Sequence, residues 1–174
     1  MAKPRIARLD FDLAAVLNLQ QTLKGLSEDV QAEVLGVCVT EAARPVVRAI
    51  KAKVAVGDWD LANLRASIKA GVRKNKRRGT AKAYVGPEVG GYYRGGKRLN
   101  KKKDDLRGAS GPSRYAHLIE FGHRARDGSR VMAKPFMRPG TDASINNASA
   151  AAVVGFQKGL TKALAKRVKK MNKA

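Results

Sequence analysis

The residues best suited to chemistry in this sequence are two histidines and a carboxylate between them. His117 and His123 are the only histidines, and Glu120 lies between the two. They are six positions apart across an expected strand and turn, with no cysteine nearby, whereas a zinc site needs several closely placed ligands. Glu120 is better interpreted as buried in a subunit contact or paired with a basic residue than as a general base.

The other reactive groups are isolated from one another. Cys38 lies on the apolar face of an expected helix, which is typical of a small core residue, and a single cysteine excludes an intrachain disulfide. The glycine-rich stretch 86–96 lacks the Gly-Lys-Ser/Thr ending and the following helix of a phosphate loop. The acidic pairs have no scaffold to hold them for acid–base work: Asp58 with Asp60, and Asp104 with Asp105. The sequence therefore predicts no catalytic set, no metal site and no cofactor.

The clearest secondary-structure element is a helix from Ser27 to about Lys53. Pro45 inside it removes a hydrogen bond and is expected to kink or split the helix. Its apolar residues recur every four positions, at Val30, Val34, Cys38, Ala42, Val46, Ile50 and Val54. Such a stripe is typical of a core face, and docking on another subunit is the functional alternative.

Four alternating segments are expected to be strands, at 6–12, 64–72, 81–85 and 115–121. A second long helix is predicted over 141–168, where the spacing of Gly155 and Gly159 allows another helix to approach closely. These elements predict an α+β fold in one domain, 1–174. A small, mostly antiparallel sheet is packed by the kinked helix and the C-terminal helix.

The segment after the last strand carries strong turn signals. Gly122 is expected to adopt a turn conformation that a residue with a Cβ would resist. Two prolines within Lys134–Pro139 exclude the interior of a regular helix or central strand, and Phe136 between them is predicted to be buried.

Two further segments are rich in basic residues and poor in aliphatic ones. Residues 88–112 are predicted to form a flexible basic insertion, and 165–174 a basic C-terminal end. Tyr92 and Tyr93 beside basic residues could stack on bases, although a solvated loop is the simpler interpretation. Trp59, the only tryptophan, is interpreted as a core lid or an interface anchor.

The charge of the chain is its most unusual global property. The 174 residues carry a net charge of +22, from 36 basic and 14 acidic residues. Such an excess favours a polyanionic partner, nucleic acid above all. The start of the chain lacks the apolar run of a signal peptide, and no stretch is apolar enough to span a membrane, so we expect a cytosolic product. The residues expected to face DNA are a hairpin tip and a loop run, Lys74, Lys76, Arg77, Arg78, Lys101, Lys102 and Lys103.

These motifs together resemble the minor tail-component family of long-tailed bacteriophages, the tail-completion proteins that join head to tail. In that family a Tyr-Ala…Glu-Phe-Gly segment is followed by a loop, a Pro-Phe-hydrophobic-x-Pro segment and a helix. Leu64-Arg-Ala-Ser-Ile68 also resembles a strand of the family, and Arg138 lies inside the second motif. The residues that match are Tyr115, Ala116, Glu120, Phe121, Gly122, Pro135, Phe136 and Pro139.

The resemblance implies a structural role in the virion. It implies a ring of identical subunits, hexameric by family, at the head–tail junction, made in the host cytoplasm and assembled with neighbouring neck and tail proteins. DNA would pass through its lumen and be contacted through phosphates without sequence readout. The alternative is a stand-alone, non-sequence-specific nucleic-acid-binding protein, which the charge supports equally.

Overall fold

The computed structural model describes residues 26–54, 59–100, 107 and 109–172. The expected strand at 6–12 lies outside these residues. The described elements give an α+β fold, as the sequence predicts. In chain order they are α1 Glu28–Lys53, α2 Trp59–Ser67, β1 Ile68–Asn75, β2 Thr80–Pro87, β3 Tyr92–Arg94, β4 Lys97–Leu99, α3 Ala116–Phe121, β5 His123–Arg124, β6 Arg130–Val131, α4 Met137–Asp142 and α5 Ile145–Met171. Short 3-10 helices lie at Lys76–Arg78 and Pro112–Arg114.

The strands form three separate two-stranded pairs, β1 with β2, β3 with β4 and β5 with β6. The second pair is antiparallel, with Tyr92 opposite Leu99, and so is the third, with His123 opposite Val131. The described residues fold into two compact units. Unit 1 comprises the described residues up to Val46, Ala70–Tyr84 and the described residues from Ser144 onward. Unit 2 comprises the described residues of Val47–Lys69 and Val85–Ala143.

The helical stripe of α1 is a core face, as predicted. Val34 and Ile50 are fully buried, and Ala42, Val46 and Val54 are nearly so. The helix continues without a break through Pro45, which excludes a split at this proline, and the alternative of a kink stays a prediction. The neighbouring turns keep their own hydrogen bonds, and the buried stripe on both sides stabilises the helical path.

In unit 1, α5 packs against the first half of α1 at its two glycines. A Cβ on Gly155 would lie 2.9 Å from the Cα of Cys38, and one on Gly159 would lie 2.8 Å from the carbonyl oxygen of Val34. The close approach predicted from the glycine spacing is therefore confirmed. The Cys38 thiol donates to the carbonyl oxygen of Ala152 at 3.2 Å, and burial raises the pKa of that thiol. Cys38 is thus a packing residue.

Two expected strands are wholly or partly helical. The segment predicted as a strand over 64–72 is helical to Ser67, and its strand begins at Ile68. The segment predicted as a strand over 115–121 is helix α3, which buries Ala116 and Glu120. In both cases the buried residues are four apart, a spacing that satisfies the two-residue period of a strand and the helical period alike.

Unit 2 also gives regular structure to the basic insertion. β3 and β4 form a hairpin within 88–112, and Tyr93 pairs with Ser110 through two backbone hydrogen bonds of 2.9 Å. Tyr93 is only 1% exposed. This stretch therefore contributes to a core although it is poor in aliphatic residues, because one tyrosine supplies the buried area that aliphatic residues usually provide. Its flexibility in solution stays a prediction.

None of the helices within the described residues is long and apolar enough to cross a membrane.

Candidate functional site

The basic hairpin tip is a compact turn between β1 and β2. Lys76–Arg78 form a 3-10 helix, Asn75 caps it by accepting from the Arg78 amide at 3.2 Å, and Gly79 closes it at φ 58°. No residue of this short helix is buried. Along the described chain, no carboxylate lies within ion-pair distance of Lys74, Lys76, Arg77 or Arg78.

The tip lies on the first half of α1, within unit 1. Gly79 has φ 58°, a conformation that favours glycine, and the flexible side chain of Gln31 on α1 occupies the space beside its Cα. The side chain of Lys74 lies across Gly36 and occupies the space that a Cβ there would need. Two glycines, one on each element, thus allow the tip to lie close to the helix.

Glu33 on α1 brings the tip together with the C-terminal half of α5. Lys166 Nζ donates to Glu33 Oε1 at 2.7 Å. That hydrogen bond, together with the positive charges of Lys166, Lys74 and Lys76, lowers the pKa of Glu33. Next to this ion pair, Arg167 donates to the Ser27 hydroxyl at 2.8 Å.

Two basic clusters about ninety residues apart therefore form one surface, which we call the tip surface. It comprises Lys74, Lys76, Arg77, Arg78, Lys166 and Arg167. Lys166 is ion-paired with Glu33, and the charges of Lys74 and Lys76 act on the same carboxylate from beyond ion-pair distance. The surface therefore keeps a positive excess that can bind phosphates. Sequence reasoning missed the pairing of Glu33 with Lys166, because only the packing of α5 on α1 brings the two residues together.

The cations of the insertion are arranged differently, within unit 2. Arg98 donates to the Glu88 carboxylate through Nε and Nη2 at 2.8–3.0 Å, Lys69 donates at 2.9 Å, and the Tyr93 hydroxyl donates at 2.5 Å. The Arg98, Tyr93 and Lys69 hydrogen bonds lower the pKa of Glu88 to about 2. Tyr93 is buried and so cannot stack on a base, which removes half of the suggested aromatic cluster.

The motif residues at 115–139 form a contact between α3 and the start of α4 within unit 2, and we call this contact the joint. The buried carboxylate of Glu120 accepts three backbone N–H groups, from Phe136 at 2.7 Å, Met137 at 2.9 Å and Arg138 at 3.3 Å. These amides begin α4 and have no partner inside that helix. Glu120 is thus buried, and among the described residues its hydrogen-bond partners are backbone amides rather than a basic side chain.

Two predictions for this joint are confirmed and one is wrong. Phe136 is 1% exposed, as predicted. Gly122 has φ 70°, and a Cβ there would lie 2.7 Å from the Val131 carbonyl oxygen, as the predicted turn requires. Pro139, however, lies inside α4. It is tolerated because it falls in the first turn, where the backbone N–H groups have no intrahelical partner.

The other motif residues surround this joint. Ala116 is buried, Tyr115 immediately precedes α3, and Pro135 is exposed. The Phe121 ring is 55% exposed, with the Arg138 guanidinium 5.4 Å from its centroid. Their part in assembly stays a prediction.

Two remaining sets of site residues cannot be placed in a contact. Lys101, Lys102 and Lys103 lie outside the described residues. Trp59 begins α2, and its role as an interface anchor stays a prediction. Within the described ranges, no group of three His, Cys, Asp or Glu side chains could hold a metal ion.

Comparison with known proteins identifies a family. The model of the family described as "Bacteriophage HK97-gp10, putative tail-component" matches residues 18–122, which is more than half of the chain. The match ends at Gly122, so it covers the tip, the insertion and α3 but not the segment from Pro135 to Pro139. No curated protein and no solved structure gives a significant match to the chain.

Proposed function

Because the chain belongs to the HK97-gp10-like family and is a phage tail component, we propose that it is a tail-completion protein at the head–tail junction. In this proposal identical subunits, six by family resemblance, form a ring between neighbouring neck and tail proteins, and DNA passes through the lumen. Its role is structural rather than catalytic, and no cofactor takes part. A closed ring uses a heterologous contact, in which each subunit presents two different faces.

The observation that carries the proposal is the tip surface of unit 1. Lys74 and Lys76 of the tip and Lys166 of α5 all lower the pKa of one carboxylate, Glu33. Arg77 and Arg78 follow in the same tip, and both are exposed. A protein that lets DNA pass needs contacts to phosphate that do not depend on base sequence, and lysine and arginine side chains on a convex turn provide them. The insertion is less suited to this role, because Glu88 already binds Lys69 and Arg98.

The first experiment tests assembly. The purified protein is imaged by negative-stain microscopy over a range of concentrations. Rings with a central opening support the proposal. Monomers that bind DNA at every concentration tested would instead support the stand-alone nucleic-acid-binding protein.

The second experiment tests the DNA contact. Binding to two duplexes of unrelated sequence is measured by fluorescence anisotropy over a salt series. We expect equal affinities and a steep salt dependence, because each neutralised phosphate adds about 0.9 to the slope of log K against log salt. Replacing Lys74, Lys76, Arg77 and Arg78 by serine is expected to lower that slope by up to about 3.6.

A matched control removes four exposed cations from unit 2 instead, at Arg124, Arg126, Arg130 and Lys134. Both variants lose the same net charge, so a general charge effect would change the two slopes equally. An unchanged slope in the tip variant would mean that the tip is not the DNA contact. If that variant binds DNA normally but no longer forms rings, the tip meets acidic residues of a neighbouring protein.

A further inference from the structure

The surface of α5 that faces away from α1 is uncharged along most of its length. Helix positions advance by about 100° per residue, which places ten exposed residues in a sector about 120° wide. We call this sector the neutral face. Its members are Asn146, Asn147, Ala150, Val153, Val154, Gln157, Thr161, Leu164, Ala165 and Val168, all of them exposed. The six charged residues from Lys158 to Lys170 all fall outside the sector.

This pattern is the reverse of what an exposed helix face normally shows. A helix that packs one side on a core usually presents charged and polar residues on the opposite side. Here the opposite side exposes four branched aliphatic side chains, with Val153 39%, Val154 46%, Leu164 52% and Val168 56% exposed. The first thirteen residues of α5, 145–157, carry no charge at all.

The charge of the whole chain indicates what can cover such a face. Two copies with a net charge of +22 repel each other, and opposed lysines in a contact would add to that repulsion. Contact between copies is therefore least costly where neither surface carries cations. From Lys158 onward every charged residue of α5 lies outside the neutral face, so in this half of the helix the neutral face is the part that another copy can approach without meeting cations.

We infer that the neutral face of α5 docks on an adjacent copy of this chain. The inference rests on the proposed ring and specifies the surface through which one subunit meets the next. The strip from Ala150 to Val168 is about 27 Å long and about 10 Å wide, which is roughly 270 Å² per copy. A stable pair buries about 800 Å² per partner, so the strip is one part of a larger contact. Isolated pairs should be weak and closed rings much more stable.

The test is sedimentation velocity with negative-stain microscopy on the full chain. Val153→Lys combined with Leu164→Lys is expected to weaken association at least tenfold and leave the monomer's melting temperature nearly unchanged. Val153→Gln combined with Leu164→Gln, which adds no charge, should weaken association less. The matched control adds two lysines at exposed helix alanines of unit 2, Ala52 and Ala62, and should still assemble.

The outcomes separate this inference from the proposed function. Rings formed equally well by the lysine variant would overturn the inference and leave the ring proposal intact. A wild-type protein that never forms rings would overturn the ring proposal together with the inference. A monomeric wild type whose melting temperature falls in the lysine and glutamine variants alike would show that the same chain covers this face, which also overturns the inference.

Discussion

The hairpin tip and the start of the basic insertion differ in how their cations meet a carboxylate. Among the described residues the tip cations Lys74, Lys76, Arg77 and Arg78 have no carboxylate within ion-pair distance, and nearby Glu33 is bound by Lys166. At the start of the insertion, Glu88 binds both Arg98 and Lys69 of β1. A run of cations therefore does not reveal whether its charge is available to a partner. The position of one glutamate decides that, and it depends on the fold.

The largest loss of stability should come from replacing Tyr93, the buried tyrosine of the insertion. Tyr93→Ala removes an aromatic side chain that is 1% exposed, together with its hydrogen bond to Glu88. We expect a loss of about 3–5 kcal/mol in the free energy of unfolding, as for other buried aromatic residues. Urea denaturation measures it, and Tyr93→Phe, which keeps the ring, should cost much less. Equal small losses for both variants would mean that the insertion is not anchored by this ring.

Removing the shared carboxylate of the insertion should have the next largest effect. Glu88→Gln leaves Arg98 and Lys69 without their anionic partner, and we expect a loss of about 1–3 kcal/mol at neutral pH. Because the folded-state pKa of Glu88 is held near 2, below its ordinary 4.5, the ionised carboxylate stabilises the fold above pH 4.5. That stabilisation is lost as the pH falls toward about 2. The stability difference between the wild type and Glu88→Gln should therefore shrink over this range, and a constant difference would contradict the shared ion pair.

The equivalent change at the tip should affect binding more than stability. Glu33→Gln removes an exposed ion pair with Lys166, and such pairs contribute about 0–1 kcal/mol. With that carboxylate neutralised, we expect DNA affinity at low salt to rise about two- to fivefold, measured by anisotropy. Glu88→Gln should not raise affinity in the same way if its fold persists. An equal rise in both variants would remove the distinction between the two regions.

The smallest effect on stability is expected for the tip cations themselves. Replacing all four by serine should change the free energy of unfolding by less than about 0.5 kcal/mol per site, because each side chain is exposed. The melting temperature should therefore stay close to that of the wild type while the salt slope of DNA binding falls. A large drop in melting temperature would show that the tip, like the insertion, stabilises the fold.

The sequence correctly predicted those elements whose residue pattern allows a single structural interpretation. The α1 stripe, the close approach at Gly155 and Gly159, and the turn at Gly122 all follow from local periodicity or from steric limits on a Cβ. The end of α2, residues 64–67, and the whole of α3 were mistaken for strands, because residues four apart share a face in both structures. Propensity favoured strand over Tyr115 to Phe121, and packing within unit 2 overrode it.

The carboxylates could not be placed from the sequence for a different reason. Glu33, Glu88 and Glu120 each act through partners between 10 and 133 residues away in the chain, apart from the local bond to Tyr93. No local pattern links Glu120 to the amides of Phe136 and Met137, although the motif containing both was recognised. Motif recognition identified the right residues, and only the fold shows what they bind.

The contact between α1 and α5 also fixes how far one helix can slide along the other. At Gly155 and Gly159 the gap between the two backbones has no room for even one carbon atom. A slip of one residue would bring Phe156 and Leu160 into those positions, and neither side chain could fit. The alignment of α1 and α5 is thus set by two glycines, which have no side chain. If the two helices were misaligned during folding, the larger side chains would overlap with α1, and the wrong alignment would be rejected for steric reasons.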